Sequence, residues 1–336
     1  MRKGSPIIIL GAGLTGLFAA QELKKKGIPS LLIEKGRSVG GRMATRRIKG
    51  GRADHGAQFF TARSDVMKSL VDNWMKEGTV NEWTKGFHQM DLDGQVHLET
   101  DGYPRYAGST GMNTLTKSLI DENDILLKHR AVHLDYQKQQ WQLEVINEQD
   151  SVTETVQAAG IISTIPIPQV LTWMNLELLE SDIKMELANI TYDPCICLMV
   201  TLRNDSRIPP KGGIQGEGDV AFIGDNQQKG ISTKPIITIH ASGEWSSNNF
   251  DAADDEVTSY LLKQVESLIS HNEVEEVQVK RWRFAKPRSL YPDRVLATTY
   301  PSPIVFAGDC FKEGKVEGAV LSGMEAGKRM SRYLKK

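Results

Sequence analysis

Ile7-Ile8-Ile9-Leu10-Gly11-Ala12-Gly13-Leu14-Thr15-Gly16-Leu17 decides how this chain folds. Four consecutive apolar residues, three of them β-branched, suit a strand buried on both faces of a parallel sheet. The glycines then turn the chain. Gly11 permits the tight turn, Gly13 lets backbone approach a pyrophosphate, and Gly16 lets helix pack on strand. Leu17 to Lys26 continues as a helix, with apolar positions at 14, 17 and 18 and Gly27 as its stop. A second buried strand, Ser30 to Ile33, ends on Glu34, near the offset of about 20 residues at which a dinucleotide fold places its ribose-binding carboxylate. The positive end of the helix faces the phosphates of such a ligand.

The rest of the composition fits a globular protein that handles small molecules. With 336 residues the chain has room for two domains. Hydrophobic residues make up 40% and charged residues 25%, which excludes disordered and collagen-like classes. The 41 Lys+Arg nearly cancel the 42 Asp+Glu, so there is no electrostatic footprint for nucleic acid or an anionic membrane. Three cysteines, Cys195, Cys197 and Cys310, argue for a reducing compartment, and Cys195 and Cys197 read as two small hydrophobes on one strand face. The seven histidines show no zinc spacing, so no metal is expected. Arg2 and Lys3 before the apolar run Pro6 to Ala20 imitate a secretory signal. The three glycines interrupt that run and Gln21-Glu22 follows it, so a cytoplasmic protein without a membrane span is expected.

Beyond Glu34, Lys35-Gly36-Arg37-Ser38-Val39-Gly40-Gly41-Arg42-Met43 combines close backbone approach with an arginine fork suited to phosphate oxygens. Here the chain resembles the amine-oxidase-like group of FAD enzymes, in which an acid followed by Gly-Gly-Arg extends the dinucleotide fingerprint. At the far end, Pro303 to Ala307 reads as a buried strand running into Gly308-Asp309, and a helix follows from about Val316 to Leu334. Asp309 is placed to accept from ribityl hydroxyls. The helix start at Glu317-Gly318-Ala319 would aim N–H groups at the flavin's N1 and C2 carbonyl. Gly318, Ser322 and Ala326, four residues apart, predict a closely packed helix.

A narrower resemblance rests on Asp54-His55-Gly56-Ala57-Gln58-Phe59-Phe60-Thr61-Ala62-Arg63 joined to Gly40-Gly41-Arg42-Met43. It extends to Pro104-Arg105-Tyr106, Gly111-Met112-Asn113, Arg281-Trp282-Arg283-Phe284-Ala285 and Val316 to Gly323. Together these are similar to the renalase family, flavoproteins on the p-hydroxybenzoate hydroxylase-like fold. The resemblance implies an α/β (α+β overall) protein with a Rossmann-like FAD-binding domain and a mostly antiparallel substrate domain. It places Gly11, Gly13, Leu14, Thr15, Gly16, Glu34, Lys35, Gly41, Arg42, Gly308, Asp309, Glu317 and Gly318 around noncovalent FAD. Ala57, Gln58 and Phe59 fall beside the isoalloxazine, and Val132, in a strand from Ala131 to Leu134, in the segment that meets adenine. His240, Trp282, Arg63 and Tyr106 then belong to the substrate side, shaping a slot for a flat heteroaromatic ring and its phosphates. The reaction implied is oxidation of 2- or 6-dihydro-NAD(P) to NAD(P)+ by hydride transfer to flavin N5, with O2 reduced to H2O2.

Two other functions compete: a flavin-containing amine oxidase, for which Lys286 is the nominated lysine, and a noncatalytic FAD or nucleotide sensor. The partners expected are a small-molecule substrate and O2, in a monomer or weak dimer. The FAD domain is divided as residues 1–75, 105–170 and 285–336, with 76–104 and 171–284 forming the substrate domain. Within these, Trp141 to Ile146, Ile161 to Ile165, Ile190 to Leu202 and Ile236 to His240 read as strands and Asp254 to Ser270 as an amphipathic helix. The Gly- and Pro-rich stretch Pro209 to Gly218 reads as a loop, either a lid or an inert hairpin connection.

Overall fold

The structure is a computed structural model describing residues 5–98, 101–120 and 125–335, so Arg2 and Lys3 of the signal-like start lie outside the described residues. It divides into two compact units. One comprises Met1–Gly41, Thr116–Thr191 and Pro287–Lys336, the other Arg42–Leu115 and Tyr192–Lys286. Residues 42–75 and 105–115, expected with the nucleotide half, pack in the second unit. The hairpin Thr45–Ile48/Gly51–Asp54 contributes Ile48 and Ala53 to a cluster with Cys197, Met199 and Ile236 of that unit's sheet. Residues 171–191, expected with the substrate half, pack in the first unit.

The first unit is built on a six-stranded sheet in the order Leu296–Thr298, Ile304–Phe306, Gly160–Ser163, Ile7–Leu10, Ser30–Glu34, Ile125–Leu127. All neighbours run parallel except the first pair. Ile7–Leu10 lies in the middle and is fully buried, as an unbroken apolar run requires. The first helix, Leu14–Lys24, packs against the C-terminal helix, Lys315–Tyr333. Closest approach is at Gly323 and Gly327. A Cβ on Gly323 would lie 2.3 Å from the Thr15 carbonyl oxygen, and one on Gly327 would lie 2.7 Å from that of Ala19. Ala326 of the expected Gly318, Ser322, Ala326 row is buried in one cluster with Leu17, Ala19 and Leu23, and Gly323 and Gly327 widen that close-packed face. Ser322 instead spends its hydroxyl on the Arg294 carbonyl and accepts from the Gly308 N–H.

The second unit has a seven-stranded sheet ordered Val274–Pro287, Tyr192–Leu202, Ile236–Ala241, Val220–Asp225, Gly213–Gly216, His88–Met90, Val96–Leu98. One face is aliphatic. Ile196, Leu198, Val200, Ile237, Ile239 and Ile223 pack on Val257, Leu261 and Leu262 of the Asp254–Gln264 helix. The stretch Pro209 to Gly218 is not simply a loop, because Gly213–Gly216 is an internal strand of this sheet. Glycine is required there by packing, since a Cβ on Gly213 would lie 2.2 Å from the Phe87 ring.

Candidate active site

In the first unit the parts of a dinucleotide cradle converge at the carboxyl end of the central strand. Gly11 takes φ +95°, which turns the chain out of the strand, and Gly13 caps the first helix without any side-chain acceptor. A Cβ on Gly13 would meet no atom within 4 Å, whereas one on Gly16 would lie 2.0 Å from the Gly11 carbonyl oxygen. The turn is thus tight inside and open outside. The Glu34 carboxylate accepts from the Ala12 N–H at 2.9 Å and from the Gly36 N–H at 2.7 Å, fixing the acid beside the glycine turn. The Gly40 N–H donates to the Ala12 carbonyl, bringing the second glycine loop to the first, and Gly41 lies within reach of Gly13. Leu14 and Thr15 are buried in the first helical turn, while Lys35 is exposed. Open backbone at an uncapped helix start, with a carboxylate held beside it, fits a pyrophosphate and ribose.

The far end of the chain adds to the same unit. Gly308 is held by Ser322, Asp309 and Glu317 are half-buried, and Gly318 is buried at the start of the C-terminal helix. That helix has Gly314 as an N-cap with no side-chain acceptor, which leaves its first turn available to a ligand acceptor. Val132 sits where the pairing of His129–Gln137 with Gln140–Asn147 shifts register, a bulge that re-aims local backbone.

In the second unit the nonaliphatic sheet face carries the candidate chemistry. Pairing sets Cys197, His240 and Phe222 opposite one another, and Met199, Thr238 and Gly224 in the next row. Across this face runs the loop from Asp54 to Phe60. Gln58 donates its amide N–H to the carbonyls of Asp54 (2.7 Å) and Gly56 (3.2 Å), so its Oε1 is buried without a partner. Phe59 packs on Phe87 and Phe222, and Ala57 donates to the Arg42 carbonyl. Arg42, expected at phosphate, uses its Nη1 on the carbonyls of Phe284 and Ala285 and lies 5.8 Å from the Tyr192 ring.

Two of the four expected substrate residues come together. His240 and Trp282 converge on His55. The Trp282 Nε1–H donates to the His55 carbonyl at 2.7 Å, its ring stacks on the His55 ring at 5.3 Å, and the His240 imidazole also hydrogen-bonds the His55 backbone. Burial pushes the pKa of His240 down to about 4, and that of His55 to about 4 with help from Lys280 and Arg46. Both rings are therefore neutral at physiological pH, and His240 Nε2 is a buried acceptor with no partner. Tyr106 packs against Phe60, and Arg63 is exposed beside the Tyr103 ring, so neither joins His240. The nominated Lys286 is exposed.

Sequence reading passed over the most buried charges of the unit. Asp54 and Lys229 form an ion pair at 2.7 Å with both side chains fully buried, and the Lys229 Nζ lies 4.9 Å above the Trp83 ring. Arg105 covers the neighbouring Phe87 ring at 5.6 Å. The Asp225 and Asn226 side chains shape the turn that carries Lys229. The thiols of Cys195 and Cys197 are pushed up by burial, that of Cys195 to about 12, as suits packing residues. Among the described residues no cluster of His, Cys, Asp and Glu could hold a metal, and no helix is long and apolar enough to cross a membrane.

Family models match most of the chain. Residues 9–74 match the model of an NAD(P)-binding Rossmann-like domain, and residues 80–331, well over half of the chain, match the model of a flavin containing amine oxidoreductase. A Mycobacterium tuberculosis protein named as a flavin-containing monoamine oxidase is 39% identical over 65 residues, covering 19% of this chain and 14% of that relative's length. Among solved structures, a protein named as a protoporphyrinogen oxidase, from Exiguobacterium sp. 255-15, superposes with TM-score 0.77 at 14% identity over all of both chains. Cyclohexylamine oxidase from Brevibacterium oxydans IH-35A gives 0.74 at 13% identity, covering 99% of this chain and 100% of that one. Putrescine oxidase bound to putrescine gives 0.71 at 14% identity, covering 98% of this chain and 99% of that one. At such identities the structural likeness is one of fold.

Proposed function

The chain belongs to the flavin containing amine oxidoreductase family, with FAD as its cofactor, and we propose that it oxidises a dihydronicotinamide nucleotide, reduced at the 2 or 6 position, to NAD(P)+. One observation carries the choice of a neutral flat ring over an ammonium. The Trp83 and Phe87 faces, which could cage a cationic amine, are already covered by Lys229 and Arg105 of the chain itself. The Asp54 carboxylate is paired with Lys229, and the Asp101 carboxylate with Arg105. A protonated amine would find the aromatic faces covered and both neighbouring carboxylates already paired, whereas a heteroaromatic ring carrying a carboxamide can draw on two unpaired acceptors, Gln58 Oε1 and His240 Nε2.

Bound FAD supplies the hydride acceptor and the route of electrons to O2. The residues of the chain are left with binding and orientation, because a dihydropyridine nitrogen already drives its hydride outward and no general base is needed. Gly13, Glu34, Asp309 and the first turns of the two helices hold the dinucleotide. Gln58 and Phe59 border the reacting ring system. His240, neutral and fixed through its other nitrogen, accepts from a substrate N–H, while Trp282 holds the His55 segment that orients it.

The test is an anaerobic titration of the purified holoenzyme with 2- and 6-dihydro-NAD(P) and with a panel of mono- and polyamines, followed at the visible flavin bands and by peroxide release on reaeration. Bleaching by the dihydropyridines alone is expected. Bleaching by amines alone establishes the amine oxidase reading, and bleaching by neither establishes a noncatalytic binding role.

A further inference from the structure

The Asp54–Lys229 pair has no part in that chemistry, and stability does not account for it. Desolvating two charges costs as much as their attraction returns, so buried ion pairs are commonly neutral or worse for stability than apolar residues of equal volume. Burial even draws the Lys229 pKa downward against the pull of Asp54. What the pair provides is a fixed point. Asp54 Oδ2 accepts from Lys229 Nζ, while Oδ1 accepts from the Thr45 hydroxyl and the Met112 N–H. The Asp54 N–H donates to Asn226 Oδ1. With side chain and N–H both anchored, the Asp54 carbonyl has one position, and there it accepts from Thr238 Oγ1 and from Gln58 Nε2.

Lys229 is itself held. It closes a turn in which the Asp225 carboxylate accepts from the N–H groups of Gln227 and Gln228, and its own N–H donates to the Asp225 carbonyl. Gln58 is the end of this chain of contacts. Both acceptors of its amide nitrogen are backbone carbonyls, so a flipped carboxamide would set oxygen against oxygen. Its Oε1 is left beside Gly224, where even a Cβ would stand 3.0 Å away.

We propose that Lys229 is a positioning residue: through Asp54 it fixes the carbonyl that orients the Gln58 carboxamide, so that the oxygen and not the nitrogen is presented to the bound ring system. This rests on the reading that Gln58 borders that ring system.

The test uses holoenzymes of Gln58→Met, Lys229→Met and their double variant, with three readouts: the visible spectrum of the bound flavin, its midpoint potential, and the rate of anaerobic reduction. Asp54→Asn with Lys229→Met, which leaves no uncompensated buried charge, replaces Lys229→Met if that variant does not fold. Gln58→Met is expected to shift the spectrum and slow reduction by about 10-fold or more, as loss of an oriented hydrogen bond does. Lys229→Met should do the same, and adding Gln58→Met to it should change the rate by less than about 3-fold, because the two act as one unit. A changed Gln58→Met enzyme beside an unchanged Lys229→Met enzyme, or effects that multiply fully in the double variant, overturns the link alone. An unchanged Gln58→Met enzyme overturns the placement of Gln58 and the link with it.

Discussion

Replacing Gly13 by Ala separates the cofactor argument from the folding argument. The residue has φ −77° and ψ −179°, extended backbone that alanine adopts freely, and the added methyl meets no protein atom within 4 Å. Restricting the unfolded chain stabilises by about 0.4–1 kcal/mol, and alanine's poorer performance as an N-cap removes a similar amount. The apoprotein should therefore unfold within about 1 kcal/mol of wild type. The methyl does stand where a pyrophosphate must approach the backbone N–H groups of an uncapped helix. Losing one charge-assisted hydrogen bond of about 1.5–3 kcal/mol weakens FAD binding by about 10- to 150-fold. Urea unfolding of the apoprotein and a fluorescence titration with FAD measure the two effects. An unchanged Kd refutes the assignment of this turn to the dinucleotide, and an apoprotein destabilised by more than about 2 kcal/mol refutes the claim that the space is empty.

Gly323→Ala should behave in the opposite way, since its Cβ would lie 2.3 Å from the Thr15 carbonyl oxygen. A helix-propensity gain of about 1 kcal/mol is outweighed by overpacking of about 1–3 kcal/mol, so the melting temperature should fall, and an equal or higher one contradicts the close helix contact. His55 and His240 titrate near 4 in the fold against about 6.5 unfolded, so the unfolded chain binds more protons in between. Stability is thus complete above about pH 6.5 and declines as pH falls toward 4, by about 3 kcal/mol for each buried histidine. His240→Gln should remove about half of that pH dependence in urea titrations, and an unaltered slope would show that His240 is not buried neutral. Cys197, fully buried and with its thiol raised by burial, should react with aromatic disulfide reagents at pH 8 only as fast as the protein opens, which a rapid phase in stopped-flow mixing of a Cys195→Ser, Cys310→Ser variant would contradict.

What the sequence discloses depends on how local its cause is. The strand, glycine turn, helix and Glu34 are legible because each is fixed by neighbours within a few residues, and the structure sets Glu34 on the Ala12 N–H. Helical spacing discloses that the C-terminal helix has a small-residue face but not its phase. The rows 318, 322, 326 and 323, 327 are adjacent on the cylinder, and only the partner helix decides that Gly323 and Gly327 join Ala326 in the contact. Composition conceals the Gly213–Gly216 strand, because glycine there serves packing against Phe87, the same residue type a loop would use for freedom.

The Asp54–Lys229 pair is invisible for the opposite reason. Its members lie 175 residues apart, and an isolated lysine in a polar stretch has every local mark of a solvated one. Burial inverts its meaning. A lysine whose ammonium is fully buried against a carboxylate holds the loop that carries Asp54 and Gln58 instead of facing solvent. The loop that resembles the renalase family, Asp54 to Phe59, is held in place by Lys229 and by Asn226, residues outside the segments that carry the resemblance. The anchored carbonyl of Asp54 in turn fixes which end of Gln58 is left without a partner, so the orientation of that carboxamide is set through side chains remote from it in sequence.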